Sequence, residues 1–162
     1  MSGNSRLDSR HAVADQWLAR TLGSYPALTS RYLLEEKDPF RNPVGRTLRE
    51  ALPALVDELL GGMDPQRITA ALDPVIRMRA VQDFSASQAV GFVFELRDIL
   101  RRESPAELTP EVDARIDRMA LAAFDVFVKC REAMDRIRVE EARRSVYVLN
   151  RVSAARTGGG AR

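Results

Sequence analysis

From Glu111 to Thr157 the chain has neither a proline nor a glycine. Nothing in that stretch breaks a helix, and Thr109-Pro110 starts one. Thr109 is a capping residue, proline suits the first helical position, and Glu111 and Asp113 lie in the first turn, where the helix dipole favours anions. A helix from Pro110 to about Ala154 would be ~65 Å long at 1.5 Å per residue. One small domain cannot cover a helix of that length from end to end. Its apolar stripe also changes phase. Ile116, Ala120, Ala123, Phe127, Cys130, Met134 and Ile137 step by three and four and are expected to pack in a core. Val139, Ala142, Val146 and Leu149 step the same way in a shifted phase. They are expected to leave the body and meet a partner helix, in a homodimer. The chain then reads as a single helical domain over residues 1–155, with a protruding helix at about 138–155. Residues 156–162, rich in glycine, read as a flexible tail.

The remainder is helical too, because no segment sustains two-residue alternation. A first helix spans about Asp8 to Ser24, with Val13, Trp17, Arg20 and Leu22 on its inner side, and stops at Tyr25-Pro26. A short helix follows near Thr29 to Glu36. Asp38-Pro39 and Asn42-Pro43 each pair a capping side chain with proline, so each signals a helix start. The second opens a helix to Leu60 that carries Leu48, Leu52, Leu55, Val56, Leu59 and Leu60 on one face. Pro53 is expected to bend it, and Gly61-Gly62 to end it. Asp64-Pro65 opens the next, with Asp73-Pro74 marking a kink or a second start before the end near Gln82. Ser85 and Gln88 have capping-box spacing. They open a helix that is apolar all round from Ala89 to Phe94 and runs to about Glu103.

Composition narrows the function. The 162 residues are 45% hydrophobic and 30% charged, with a net charge of +2, as in a globular domain with a substantial core. No apolar run approaches the ~20 residues that span a bilayer, and the first residues have no apolar signal region, so a cytoplasmic location is expected and no membrane association. Cys130 is the single cysteine and His11 the single histidine. One of each supplies too few ligands for a metal site and no thiol–imidazole pair for nucleophilic catalysis. Cys130 lies on an apolar stripe and reads as a core thiol. Glu35-Glu36 and Glu140-Glu141 are sequence neighbours on helices, so neither pair can face a substrate together. No catalytic residues, cofactor or metal are expected. The arginines of the last helix, among them Arg136, Arg138, Arg143, Arg144 and Arg151, interleave with Glu132, Asp135, Glu140 and Glu141. That pattern favours a solvated or dimer-flanking face over nucleic-acid binding.

Three segments in order, Asp38-Pro-Phe-Arg-Asn-Pro-Val-Gly45, Leu59-Leu-Gly-Gly-Met-Asp-Pro65 and Arg79-Ala-Val-Gln-Asp-Phe-Ser-Ala-Ser-Gln-Ala-Val-Gly-Phe-Val-Phe94, resemble the N-terminal sensor domain of RsbR/RsbRD-type RsbT co-antagonists, the stressosome proteins. The resemblance covers about residues 10 to 140. It implies an all-α, globin-like helical bundle without haem, a dimer, and a long final helix that leads to an output domain. In the stressosome proteins that output is a phosphorylated STAS domain. This sequence stops after the long helix, so the expectation is a stand-alone module that signals through dimerisation and contacts with an unidentified regulatory protein. His11, in the first helix, is misplaced for an axial haem ligand.

The candidate site is a polar group drawn from two loops: Arg41, Asn42, Arg46, Arg79, Gln82 and Asp83. Asp83 could pair with Arg79 one turn away or with Arg46 across the fold. Buried charges need partners, so the group reads either as a structural network or as a place where Arg46 and Arg79 hold a small anionic or polar signal. An alternative function is a carrier of a small or lipid-like molecule, with a cavity between the helices that bear Trp17, Phe92 and Phe94.

Overall fold

A computed structural model describes the backbone of residues 2–82 and 84–158, and the side chains of residues 7–82 and 84–152. Seven α-helices account for nearly all of it, and no strand occurs among the described residues: α1 (Ser2–Gly23), α2 (Ala27–Glu35), α3 (Pro43–Leu60), α4 (Pro65–Val81), α5 (Ala86–Gly91), α6 (Glu95–Glu103) and α7 (Pro110–Gly158). The protein is all-α, with α7 its longest element at 49 residues.

The capping signals act where the sequence puts them, with one exception. Asp64 Oδ1 accepts from the Gln66 and Arg67 amides at 2.9 and 3.0 Å, and Thr109 Oγ1 from the Val112 amide at 3.2 Å. Ser85 and Gln88 form a complete capping box. Asp38-Pro39 is the exception and makes only a turn. The Asp38 carboxylate accepts from the Phe40 amide, and its carbonyl from the Arg41 and Asn42 amides. A helix cannot continue from there, because Pro43 drives Asn42 out of the helical region, to φ −128°. Both internal prolines are absorbed within unbroken helices, so Asp73-Pro74 is not a second start. Ala70, whose carbonyl loses its usual donor at Pro74, lies on an exposed face where water can replace it. The turn after α3 also departs from expectation. Its left-handed residue is Met63, at φ 53°, and not a glycine. Gly61 is required for another reason: a Cβ there would stand 2.6 Å from the Asp57 carbonyl oxygen.

Residues up to Phe127 form one compact unit. In it α3 packs against α1 and α4, and α1 packs against α6. The buried set follows helical spacing: Val13, Trp17 and Leu22 of α1; Leu48, Leu52, Leu55, Val56 and Leu59 of α3; Ile68, Leu72, Val75 and Ile76 of α4; Leu96, Ile99 and Leu100 of α6. Each contributes about 1.5–3 kcal/mol by leaving water. The first turns of α7 add Val112, Ile116, Met119, Ala120, Ala123 and Phe127. Arg97 of α6 clamps this part of α7 through ion pairs to Asp113 and Asp117. Arg115 donates to the Leu59 and Gly61 carbonyls at 3.0 and 2.9 Å, serving backbone acceptors at the α3 C-terminus.

From Val128 the chain forms a second unit, consisting of the rest of α7. The core stripe ends at Cys130, which is buried. Met134 is half-buried and Ile137 exposed, so these two do not continue it as expected. The helix reaches Gly158, which takes in residues 156–158 of the expected tail; residues 159–162 lie outside the described part.

The largest departure is between Ser85 and Glu103, where one expected helix is two. Around Phe92–Phe94 the amides switch to i→i−3 acceptors: Val93 to Val90, Phe94 to Gly91, Leu96 to Val93 and Arg97 to Phe94. The Phe92 carbonyl, which an unbroken helix would give to Leu96, instead accepts the Trp17 indole N–H at 2.7 Å. A bond from α1, 75 residues away in sequence, replaces a rung of the local ladder.

Asn42 fastens α2 to α3. It is fully buried; its Nδ2 donates to the Leu33 and Glu36 carbonyls at 2.8 Å each, while its Oδ1 caps α3 by accepting from Gly45 at 2.7 Å. A Cβ at position 45 would fall 2.3 Å from Asn42 Nδ2, so only glycine admits this latch. We expect Asn42→Ala to lower unfolding free energy by about 2–4 kcal/mol in urea titrations, the sum of a lost cap and one orphaned carbonyl, that of Glu36, since Arg49 Nη2 still donates to the Leu33 carbonyl. Asn42→Asp keeps the capping oxygen but loses both donors, and should recover only part of the loss.

Candidate functional site

The six polar residues picked out in the sequence separate into two groups. Arg41 is exposed and 3.6 Å from Glu36, Asn42 is the latch just described, and Arg46 is exposed and paired with Glu50 one turn along α3 at 2.9 Å. Among the described residues no hydrogen bond, ion pair or ring contact joins these three to Arg79 and Gln82. Their charges are answered within their own corner of the fold, by short-range partners that form as the helices do. Asp83 lies outside the described residues.

Arg79 is the residue around which a site is built. It occupies the last turn of α4, where the helix dipole favours a cation, yet it is 1% exposed. Its guanidinium carbon lies 4.7 Å from the Phe92 ring centre, 5.1 Å from Phe84 and 5.9 Å from Tyr25. Nη1 donates to the Gln88 carbonyl at 2.9 Å and Nη2 makes a long contact of 3.5 Å with Ser24 Oγ. Tyr25 crosses Phe84 edge to face and donates its hydroxyl to Gln82 Oε1 at 3.1 Å. Thus the end of α1, the end of α4 and the start of α5 converge on one cation.

That cation has no carboxylate within 4.0 Å among the described residues. Burial pulls the Arg79 pKa below its ordinary value, with the Tyr25 and Glu95 charges opposing the shift. The same burial raises the Tyr25 phenol, against the pull of Arg79. Each aromatic face stabilises a desolvated cation by up to about 2 kcal/mol, whereas an unpaired buried charge costs several kcal/mol. The rings therefore offset a large part of the desolvation without supplying a counter-charge. Three buried side-chain atoms lack any hydrogen-bond partner among the described residues: Arg79 Nε, Glu95 Oε2 and Thr21 Oγ1. Glu95 opens α6 just beyond Phe92, and Thr21 is one turn before Tyr25 on α1. The unmet polar atoms thus belong to the helix ends that surround Arg79.

The sequence signals Arg79 and Gln82 but not the residues that enclose them. Tyr25 reads as a helix stop, Gln88 as a capping partner and Phe92 as core, and each is also that. Their second role comes from contacts with Arg79 across 9 residues for Gln88, 13 for Phe92 and 54 for Tyr25, none of which is a spacing within one helix. A carrier cavity is expected near Trp17, Phe92 and Phe94. Trp17 stacks on Phe92 with ring centres 5.5 Å apart, and Phe94 turns outward, 44% exposed. His11 is exposed and its Nδ1 is bonded to the Leu7 carbonyl. Among the described residues, no group of three histidine, cysteine or acidic side chains is arranged to hold a metal ion, and no helix is long and apolar enough to cross a membrane.

Glu95 makes the site's charge state measurable. Burial raises its carboxyl above the ordinary 4.5, with Arg20 and Arg79 opposing. Between 4.5 and the raised value the folded protein holds more protons than the unfolded chain, so stability falls as pH rises through that window. Glu95→Gln should remove this slope and be the more stable protein at neutral pH, with the difference closing below pH 4.5. Parallel urea titrations across that range would disprove this reading if wild type and variant share one slope.

An uncharacterized protein of Archaeoglobus fulgidus is 24% identical over 148 residues, which cover 88% of this chain and 91% of that one. No solved structure matches. The family described as RsbT co-antagonist protein rsbRD N-terminal domain matches residues 11–142, from α1 well into the second unit of α7. The chain belongs to the RsbRD N-terminal domain family of RsbT co-antagonist proteins.

Proposed function

We propose that this protein is a non-catalytic regulatory domain of the stressosome type that works as a homodimer, joined through the second unit of α7. The exposed stripe on that unit carries the reading. Val139, Val146 and Leu149 are 50%, 57% and 67% exposed, and Ala142, on the same three-and-four spacing, is exposed with them. Ile137, Tyr147, Val148 and Val152 add apolar surface beside them. A helix gains most of its stability by packing its apolar face, and this face has no counterpart within its own unit. A second copy of the same helix offers a complementary stripe, and burying each valine or leucine there contributes about 1.5–3 kcal/mol.

The side-chain chemistry supports regulation over catalysis. The buried polar cluster contains a cation, a phenol and hydroxyls, but Glu95, its one acid among the described residues, makes no bond to a group it could deprotonate. Cys130 is buried, and His11 is committed to a backbone carbonyl in α1. A domain of this kind passes information by binding, and a partner protein reading the dimer is the output that fits it.

Sedimentation equilibrium should give twice the 18.1 kDa chain mass. Val146→Glu with Leu149→Glu should yield monomer while leaving the thermal midpoint of the body within a few degrees, because neither residue lies in its core. A monomeric wild type at micromolar concentration would sink the proposal.

A further inference from the structure

Arg79 uses one side of its fork. Nη1 is bonded to the Gln88 carbonyl, while Nε has no partner among the described residues, Nη2 makes a long 3.5 Å contact to Ser24, and the Tyr25 hydroxyl also bears on the guanidinium. The Nε–Nη2 edge is the planar pair of donors that a carboxylate matches with two parallel bonds. A cleft of about 510 Å³ opens at the same place, lined by Ser24, Tyr25, Pro26, Gln82, Phe84 and Gln88. Four of those six residues touch the guanidinium, through the Ser24 hydroxyl, the Gln88 carbonyl and the Tyr25 and Phe84 rings. None of the six is acidic, and none is a lysine or arginine.

The geometry points to this cleft as the binding site of a small molecule bearing one carboxylate. The carboxylate takes the Nε–Nη2 edge of Arg79, and the carbon skeleton lies against Tyr25, Pro26 and Phe84. Ser24 Oγ and the Gln82 amide stand at the rim, where further polar atoms of the ligand would meet them. A single cation buried behind the lining, with no basic residue among the lining residues themselves, suits a monoanion better than a doubly charged phosphate. The planar fork likewise suits a planar oxyanion. The proposal deepens the regulatory reading by giving it a signal. Bound there, the ligand would tie together the ends of α1 and α4 and the start of α5.

Amide NMR of the full chain, titrated with sodium benzoate to millimolar concentration and with inorganic phosphate at matched ionic strength, tests it. Benzoate should produce saturable shifts at Gln82, Phe84 and Gln88, and phosphate should not. Arg79→Lys keeps the charge and loses the fork, and should weaken benzoate binding by about tenfold or more. Should that variant fail to fold, Ser24→Ala and Gln82→Ala at the rim replace it, each expected to weaken binding a few-fold. The site is overturned by a wild type that shows no saturable shifts, by phosphate saturating the same amides as tightly as benzoate, or by affinity unchanged in the folded variants. Repeating the titration on the Val146→Glu, Leu149→Glu protein separates this outcome from failure of the dimer: binding there is expected to persist whichever way the oligomer experiment falls.

Discussion

A guanidinium held out of water between aromatic rings organises the first unit of this protein. Arg79 is presented by the last turn of α4, and every group that touches it comes from a chain end or a junction: Ser24 and Tyr25 after α1, Phe84 and Gln88 at the start of α5, Phe92 at the break before α6. Helix ends are where backbone groups run out of intrahelical partners, and here one side chain gathers three of them. The arrangement is costly for a charge without a carboxylate partner. It persists because three ring faces and the dipole of α4 replace part of the lost hydration. That unmet polarity lies beside an open cleft, which is the ground of the proposed small-molecule site.

The break between α5 and α6 follows from the same convergence. Trp17 stacks on Phe92 and takes its carbonyl, so the ladder tightens for a few residues and the chain turns as it leaves α5. The turn keeps Phe92 inward against Arg79 and rotates Phe94 outward over Arg97. Arg97 in turn pairs with Asp113 and Asp117 on α7. Contacts therefore run in an unbroken series from the Arg79 site through the α5–α6 turn to the first turns of the long helix. That series is a physical route by which occupancy of the cleft can bear on α7, the element that supplies the proposed dimer contact.

Two parts of α7 face different demands. Through Phe127 its apolar side chains are buried against the body, and its charged residues are tied to α6 and to the end of α3. From Ile137 on the apolar side chains are exposed and the interleaved arginines and acids lie among them. A single uninterrupted helix thus belongs to a core at one end and offers an interaction surface at the other. Burial ends at Cys130, more than two turns before the phase of the apolar stripe shifts at Val139.

The sequence alone determined the all-α class, most helix starts, the core faces of α3 and α4, the long final helix and the family. Each depends on residues within a turn or two of one another: Asp64 before Pro65, Ser85 before Gln88, leucines at three and four along α3, and the absence of proline and glycine from Glu111 to Thr157. Sequence also singled out Arg79 and Gln82, since charged and amide side chains next to an apolar run stand out locally. It could not show that Arg46 and Arg41 would find near neighbours of their own, nor that Tyr25, Phe84 and Phe92 would enclose Arg79. It gave no sign that Trp17 would split the helix after Ser85. The Tyr25 and Trp17 contacts join residues 54 and 75 apart, and those of Phe84 and Phe92 with Arg79 join residues of different helices or of the junctions between them, so they form only when the helices pack. A buried guanidinium's environment is set by whatever meets it in three dimensions, so only the tertiary structure decided where a site could be.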